Sequence, residues 1–280
     1  MSKITISVDN TCDLGDELYK KYNLKAIYFG VVIGTTLFRD TEVKPEAIYK
    51  AVEKDGLLPK TNAALEMDYR DLFESSTKDG GHIIHISMSD KLSASHQNAL
   101  RAAKSLQRVH VIDSKSLSAG TGILAIKASQ MVTEGKEAQE IADAITSMVN
   151  NLDANFILKD LNYIYRGGRA SGLKLFGANL LKIRPSLQVN KDGKIVPDKK
   201  FKGQFELAVK EWTDFRIKRA EFANKDMAIV VQSDIDDEIV NEAINSIKEA
   251  GYKEVLRFVT GPTLTTHVGR NMLGIIFLNN

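Results

Sequence analysis

The chain has 280 residues, 43% hydrophobic and 26% charged with only five prolines; this suits a globular protein of two packed domains or one large one and excludes low-complexity, collagen-like and long disordered classes. Thirty-eight Lys plus Arg against 36 Asp plus Glu leave a formal charge of +2, so no global field draws the chain to nucleic acid or a membrane surface, and any anion site is local. The single cysteine, Cys12, excludes an intrachain disulfide and a Cys-rich zinc site; with no apolar leader after Met1 and no run near the ~18 apolar residues of a membrane span, a cytoplasmic protein is expected.

Ile4 to Val8 alternates polar and branched residues as a strand does, and Asp9-Asn10-Thr11-Cys12-Asp13 supplies turn chemistry before a helix over Leu14 to Tyr22. A second apolar run, Ala26 to Ile33, turns at Gly34 toward Thr35 to Phe38, and Pro45 opens a helix to about Lys54. The loop Leu58 to Asn62 leads into a helix through Tyr69 and Leu72. His82 to Ser87 and Val109 to Asp113 read as strands, each followed by a helix, Ser93 to Leu106 and Ser118 to Thr133. Strands alternating with helices predict a parallel sheet covered on both faces.

After a helix over Ala138 to Asn150 and a strand at Ala154 to Leu158 the pattern changes, which places a domain boundary there. Gly167-Gly168-Arg169 breaks the chain. Ile183 to Val189 and Ile195 to Val196, joined by Asn190-Lys191-Asp192-Gly193, predict a hairpin. A long amphipathic helix, about Phe205 to Phe222, precedes a strand at Ala228 to Gln232, a helix at Glu238 to Ala250, a strand at Glu254 to Phe258 and a terminal strand at Gly274 to Leu278. The fold class expected is α/β, with domains at residues 1–154 and 155–280 and a ligand cleft at their interface.

Two motifs fail on physical grounds. Gly120-Thr121-Gly122-Ile123-Leu124-Ala125 has the glycine spacing of a dinucleotide fingerprint, but Ser114 to Ala119 separates it from its strand and the acid about 20 residues on, Glu140 or Asp143, falls inside a helix. Helix packing through small residues is the better reading. His82 and His85 sit three apart in a strand, on opposite faces, and no Cys or second His has helical ligand spacing, so structural histidines are expected rather than a metal site.

Four places could carry chemistry. Ser87 to Ser95 lies between a buried strand and a helix whose first turn leaves backbone N–H groups unpaired, an arrangement that binds anions. Thr61 and Asn62 occupy a similar place between Pro59 and a helix. For a lone Ser or Thr, the plainer account is an N-cap. Gly261 to Gly269 sets His267 among small residues that allow close backbone approach, and Arg169 follows two glycines that mark either a tight turn or an anion pocket.

Taken in order, these segments resemble the DegV family, the fatty-acid-binding proteins that include the FakB subunit of bacterial fatty acid kinase. The resemblance is carried by Val8-Asp9-Asn10-Thr11-Cys12-Asp13-Leu14, Pro59-Lys60-Thr61, Ile86-Ser87 through Leu92-Ser93 with Gln97-Asn98-Ala99, Val111 to Ser114, Ser118-Ala119-Gly120, Leu161 to Ile164 into Gly167-Gly168-Arg169, and Gly261-Pro262 with His267-Val268-Gly269. It implies a two-domain DegV-like fold with one long-chain fatty acid between the domains. The carboxylate would be bound by Thr61, Asn62, Ser93, Ala94, Arg169 and His267, with no metal, no further cofactor and no catalytic residue. It also implies a separate ATP-binding subunit, FakA-like, that phosphorylates the bound acid for phospholipid synthesis. The sequence departs from the family pattern at Asn62-Ala63-Ala64, at Arg270-Asn271 and in the basic stretch Lys199 to Gly203. A serine hydrolase using Ser93, His267 and Asp9 or Asp113 is the enzyme alternative, although Ser93 lies in no G-x-S-x-G elbow. A family member with another partner is the third.

Overall fold

The computed structural model describes residues 3–170, 183–220 and 223–280. In the first half, β1 (Ile4–Asp9) leads through a 3-10 turn at Asn10–Cys12 into α1 (Gly15–Lys21) and β2 (Leu24–Ile27). Next come β3 (Gly30–Ile33), β4 (Thr36–Arg39), α2 (Pro45–Asp55), β5 (Lys60–Asn62) and α3 (Glu66–Thr77). Then β6 (His82–Ser87), α4 (Ser95–Ala103), β7 (Val109–Asp113), α5 (Ala119–Thr133) and α6 (Ala138–Met148) complete the half.

Four of these strands form a parallel sheet in the order β2-β1-β6-β7. Alternation divides its side chains: Ile83 packs with Tyr69, Phe73, Ala99 and Ala102 of α3 and α4, whereas Ile84 and Ile86 pack with α5 and α6. This is the two-faced cover expected from the alternating pattern. The expected single run Ala26 to Ile33 is in fact two strands in two sheets. The break falls where Phe29 N–H turns aside to Asn10 Oδ1 (2.9 Å) and Phe29 C=O accepts Asp40 N–H (2.9 Å). Beyond it β3 pairs antiparallel with β4 and β5 in a small separate sheet, so the segment around Thr61 is a strand and not the loop expected.

The second half contributes β8 (Leu152–Leu158), α7 (Asn162–Gly167), β9 (Ile183–Val189), β10 (Ile195–Lys202) and α8 (Phe205–Arg219). It closes with β11 (Ala223–Ser233), α9 (Asp237–Glu249), β12 (Glu254–Val259), α10 (Pro262–Val268) and β13 (Met272–Asn279). Its six strands run in the order β10-β9-β8-β13-β11-β12, antiparallel except for β11 with β12. The helix expected to reach Phe222 ends at Arg219, and residues 221 and 222 lie outside the described residues. The segment Gly261 to Gly269, expected as a loop, is a short helix with Pro262 in its first turn, where a missing N–H costs nothing.

Helix α5 joins the halves. It touches β1 and β6 on one side and β8 and β11 on the other, and residues 119–126 are all buried. A helix apolar all round is a helix covered all round. Here Gly120 and Gly122 find their use. A Cβ on Gly122 would stand 2.6 Å from the Leu14 side chain, and one on Gly120 would stand 2.1 Å from Ser116 Oγ, so the glycines serve close packing as the sequence reading held.

Candidate functional site

In the parallel sheet the chain runs from β1 outward to β2, then returns by way of the small sheet to β6 on the other side of β1. Loops leaving the carboxyl ends of β1 and β6 therefore diverge, and the crevice between them is where open α/β sheets bind ligands. At this carboxyl end of the sheet the loop after β6, from Met88 to Ala94, lines a cavity of about 180 Å³. Phe29, Met88, Leu92, Ile164, Ile195 and Leu264 give it apolar walls, and Thr61, Ser93, Arg169 and His267 gather in it from four separate segments.

Each polar group is placed by its own element. Alternation along β5 turns Thr61 into the cavity and leaves Asn62 exposed and outside the lining, which corrects the expectation that Asn62 shares the site. Thr61 Oγ1 lies 2.9 Å from His267 Nε2. Ser93 precedes α4, where its hydroxyl accepts the Ser95 N–H at 3.2 Å, so it has the capping role of the plainer reading as well as a place in the cavity wall. Ala94, the N-cap residue, also lines the cavity and has no capping side chain of its own, so Ser93 supplies the side-chain acceptor at this positive helix end.

Gly167, Gly168 and Arg169 each have a separate task. A Cβ on Gly167 would sit 2.6 Å from His267 Nδ1, so only a glycine lets the ring approach. Gly168 ends α7 at φ 68°, a left-handed conformation open to glycine. Arg169 then turns back to donate from Nη1 to Gly167 C=O at 2.6 Å. The His267 ring has no hydrogen-bond partner at its buried Nδ1 among the described residues. Burial first, and the Arg169 charge second, push its pKa down to about 4, a direction that sequence alone leaves undecided. At neutral pH the ring is uncharged, and among the described residues lining the cavity Arg169 is the cation.

A model of the DegV family of uncharacterised proteins matches residues 3–280. The chain belongs to the DegV family. A DegV domain-containing protein of Caldanaerobacter subterraneus subsp. tengcongensis is 27% identical over 284 residues, covering 99% of both chains. Among solved structures, a DegV family protein from Thermus thermophilus described by its fatty acid binding superposes with TM-score 0.91 at 23% identity, over 99% of this chain and 100% of that one. A DegV lipid binding protein from Thermotoga maritima superposes with TM-score 0.83 at 25% identity, over 99% and 98%.

The DegV chain does not assemble the hydrolase triad. Asp9 is engaged by Tyr69 OH (2.7 Å) and Met88 N–H (2.8 Å), and Asp113 by Lys115 N–H (2.8 Å). Neither meets His267, whose Nδ1 a triad acid would hold. His85 packs between Ser7 (3.0 Å to Nδ1) and Asp9 (3.5 Å from Nε2), and His82 stacks on His110 with centroids 6.1 Å apart. Among the described residues no group of three or more His, Cys, Asp and Glu could hold a metal ion, and no helix is long and apolar enough to cross a membrane.

Sequence reasoning missed two buried carboxylates that hold α10 in place. Asp13 accepts the Ser118 hydroxyl and, at 2.9 Å, the Gly261 N–H; Asp40 accepts the Thr263 hydroxyl and, at 2.9 Å, its N–H. Both acids sit at the positive end of the helix that carries His267. Burial pushes Asp13 up to about 7 and raises Asp40 as well. The only signal available was the polar turn Asp9 to Asp13, and nothing local names a partner 248 residues away.

Proposed function

We propose that this DegV protein binds one long-chain fatty acid between domains at residues 1–154 and 155–280, and presents its carboxylate to a separate ATP-binding kinase subunit for acyl phosphate formation. The carboxylate is met by Thr61, Ser93, Ala94, Arg169 and His267; Asn62, on the other side of β5, takes no part. The observation that carries the reading is the convergence of hydroxyls, an imidazole, a guanidinium and a helix start in a cavity with apolar walls. Roughly 15 methylenes withdrawn from water are worth about 0.8 kcal/mol each, about 12 kcal/mol gross, less the cost of immobilising the chain. The donors offset the several kcal/mol that a buried carboxylate without partners would cost. The solved relatives described as binding fatty acid or lipid support the same ligand here.

Kinase presentation is supported by exposure. Tyr165, Arg166 and Arg169 stand at the surface beside the polar groups, so the carboxylate is the end of the ligand nearest solvent. The basic stretch Lys199 to Gly203 lies mostly on β10, the edge strand whose first residue, Ile195, lines the cavity. At about 3.3 Å per residue, Lys199 is about 13 Å along that strand, within reach of a partner covering the cavity mouth.

Organic extraction of the purified protein and gas chromatography test the ligand, with oleate and palmitate added in thermal melts. One bound fatty acid per chain, or a raised Tm, is expected; if no fatty acid is extracted and neither acid raises the Tm, the reading fails. Radiolabel transfer from ATP to the bound acid, with the ATP-binding subunit of the same cell, tests presentation. Lipid bound but never phosphorylated would point to a different partner.

A further inference from the structure

A second cavity, about 30 Å³, lies behind the first and shares three of its side chains, Leu117, Leu264 and Val268. It sits between the larger sheet and the start of α5. Gly274 on β13 pairs directly with Val231 on one neighbouring strand and with Phe156 on the other, so the missing side chain leaves a dip in the sheet face between two apolar neighbours. A Cβ at Gly274 would stand 2.8 Å from Val231 Cγ1 and 3.6 Å from Phe156 Cβ. The polar residues in the lining are occupied elsewhere. Ser118 donates to Asp13, Thr260 Oγ1 pairs with Thr265 Oγ1 at 2.9 Å, and the Asn155 amide accepts from Trp212 (2.9 Å) and donates to Asp198 (2.7 Å). An apolar space without polar partners does not hold water, and its lining forfeits dispersion contacts until apolar atoms fill it.

Together the two cavities fall short of the roughly 300 to 1,000 Å³ of ordinary ligand sites. A short acyl chain fits the first; a longer one must pass the three shared side chains. Leu264 and Val268 lie one turn apart on α10 and His267 lies between them in sequence, so one helix carries both the passage and a head-group residue.

We propose that the second cavity receives the end of a long acyl chain, that Leu117, Leu264 and Val268 part to admit it, and that Gly274 sets the longest chain accepted. The proposal rests on the fatty-acid reading above and adds the determinant of chain length.

The test measures affinity for straight-chain acids from octanoate to octadecanoate, by displacement of a fluorescent fatty acid, in wild type, Gly274→Ala and Leu117→Ala. Each methylene buried is worth roughly fourfold in affinity. Wild type should gain by about that factor along the series. Gly274→Ala should match wild type for the short acids and lose two or three increments for the longest, about 15- to 60-fold. Leu117→Ala, outside any helix or strand, should move oppositely and favour the longest acids. The proposal is overturned if Gly274→Ala, shown folded by circular dichroism, lowers all acids in parallel or changes none. If that variant does not fold, an unaltered slope in Leu117→Ala overturns it. Wild type that binds none of the acids refutes the fatty-acid reading itself, and this proposal with it.

Discussion

Replacing His267 with Asn removes one titrating ring from a site where the native fold resists its protonation. The ring's pKa is pushed from 6.5 down to about 4, and that difference, at 1.36 kcal/mol per unit, amounts to about 3 kcal/mol. The sign follows from linkage. Above pH 6.5 the ring is neutral folded and unfolded and contributes nothing. As pH falls from 6.5 to 4 the unfolded chain takes up a proton that the folded protein refuses, so stability declines; below 4 the loss levels off. Asp13 works against this, because a carboxyl pushed from 3.8 up to about 7 keeps its proton in the fold and loses stability as pH rises through that window. A wild-type curve alone would therefore mix two opposed slopes. The assay is urea denaturation of wild type and His267→Asn at pH 7.5, 5.5 and 4. The stability of wild type minus that of the variant should fall by about 3 kcal/mol between the first and last. A difference constant with pH, or a His267 midpoint near 6.5 by NMR titration without ligand, would refute the reasoning.

The other predictions concern the head group. Thr61→Ala and Ser93→Ala should each weaken fatty acid binding by about 1 to 3 kcal/mol, the scale of a hydrogen bond to a charged group; wild-type affinity in fluorescent displacement would remove them from the site. Gly167→Ala drives a methyl toward His267 Nδ1 and should cost about 1 to 3 kcal/mol of stability, as overpacking does, seen as a lowered Tm, and should also weaken binding in the same assay by displacing the ring; wild-type affinity and Tm would refute the close approach. His267→Ala should cost only part of the affinity but a larger share of acyl phosphate formation, since a misplaced head group loses the benefit of orientation; unchanged phosphorylation would exclude that role. Bound fatty carboxylate should raise the His267 midpoint above about 4, because a nearby anion favours the imidazolium, and NMR titration with and without oleate decides it.

The parallel sheet was legible because its strands are compact apolar runs separated by helix-length segments, and β1, β6 and β7 fall where alternation puts them. The Leu24 to Ile33 region was not, since one hydrophobic run can serve two sheets and the division depends on Asn10 capturing the Phe29 N–H from 19 residues away. Strand β5 is three residues long, too short for a periodicity, yet it decides that Thr61 faces the cavity and Asn62 does not. Helix α10 was hidden by its threonines and the glycines that flank it, which read as loop until Asp13 and Asp40 tie down its first turn. Thr61, Ser93, Arg169 and His267 could be named from sequence, but their convergence, and the need for Gly167 beside the ring, are tertiary facts.

The cover on both sides of α5 bears on how the molecule comes apart. A chain stopping before Leu152 would keep the helix's contacts with β1 and β6 but lose those with β8 and β11, leaving an apolar strip wet along a 15-residue helix. Such a truncated product is a candidate for clumping rather than for an autonomous half, and during synthesis the emerging first half must wait, partly unfinished, for strands made later. For the same reason the halves should melt together in one transition, and separating them like an opened book is a costly route for exchanging a bound molecule.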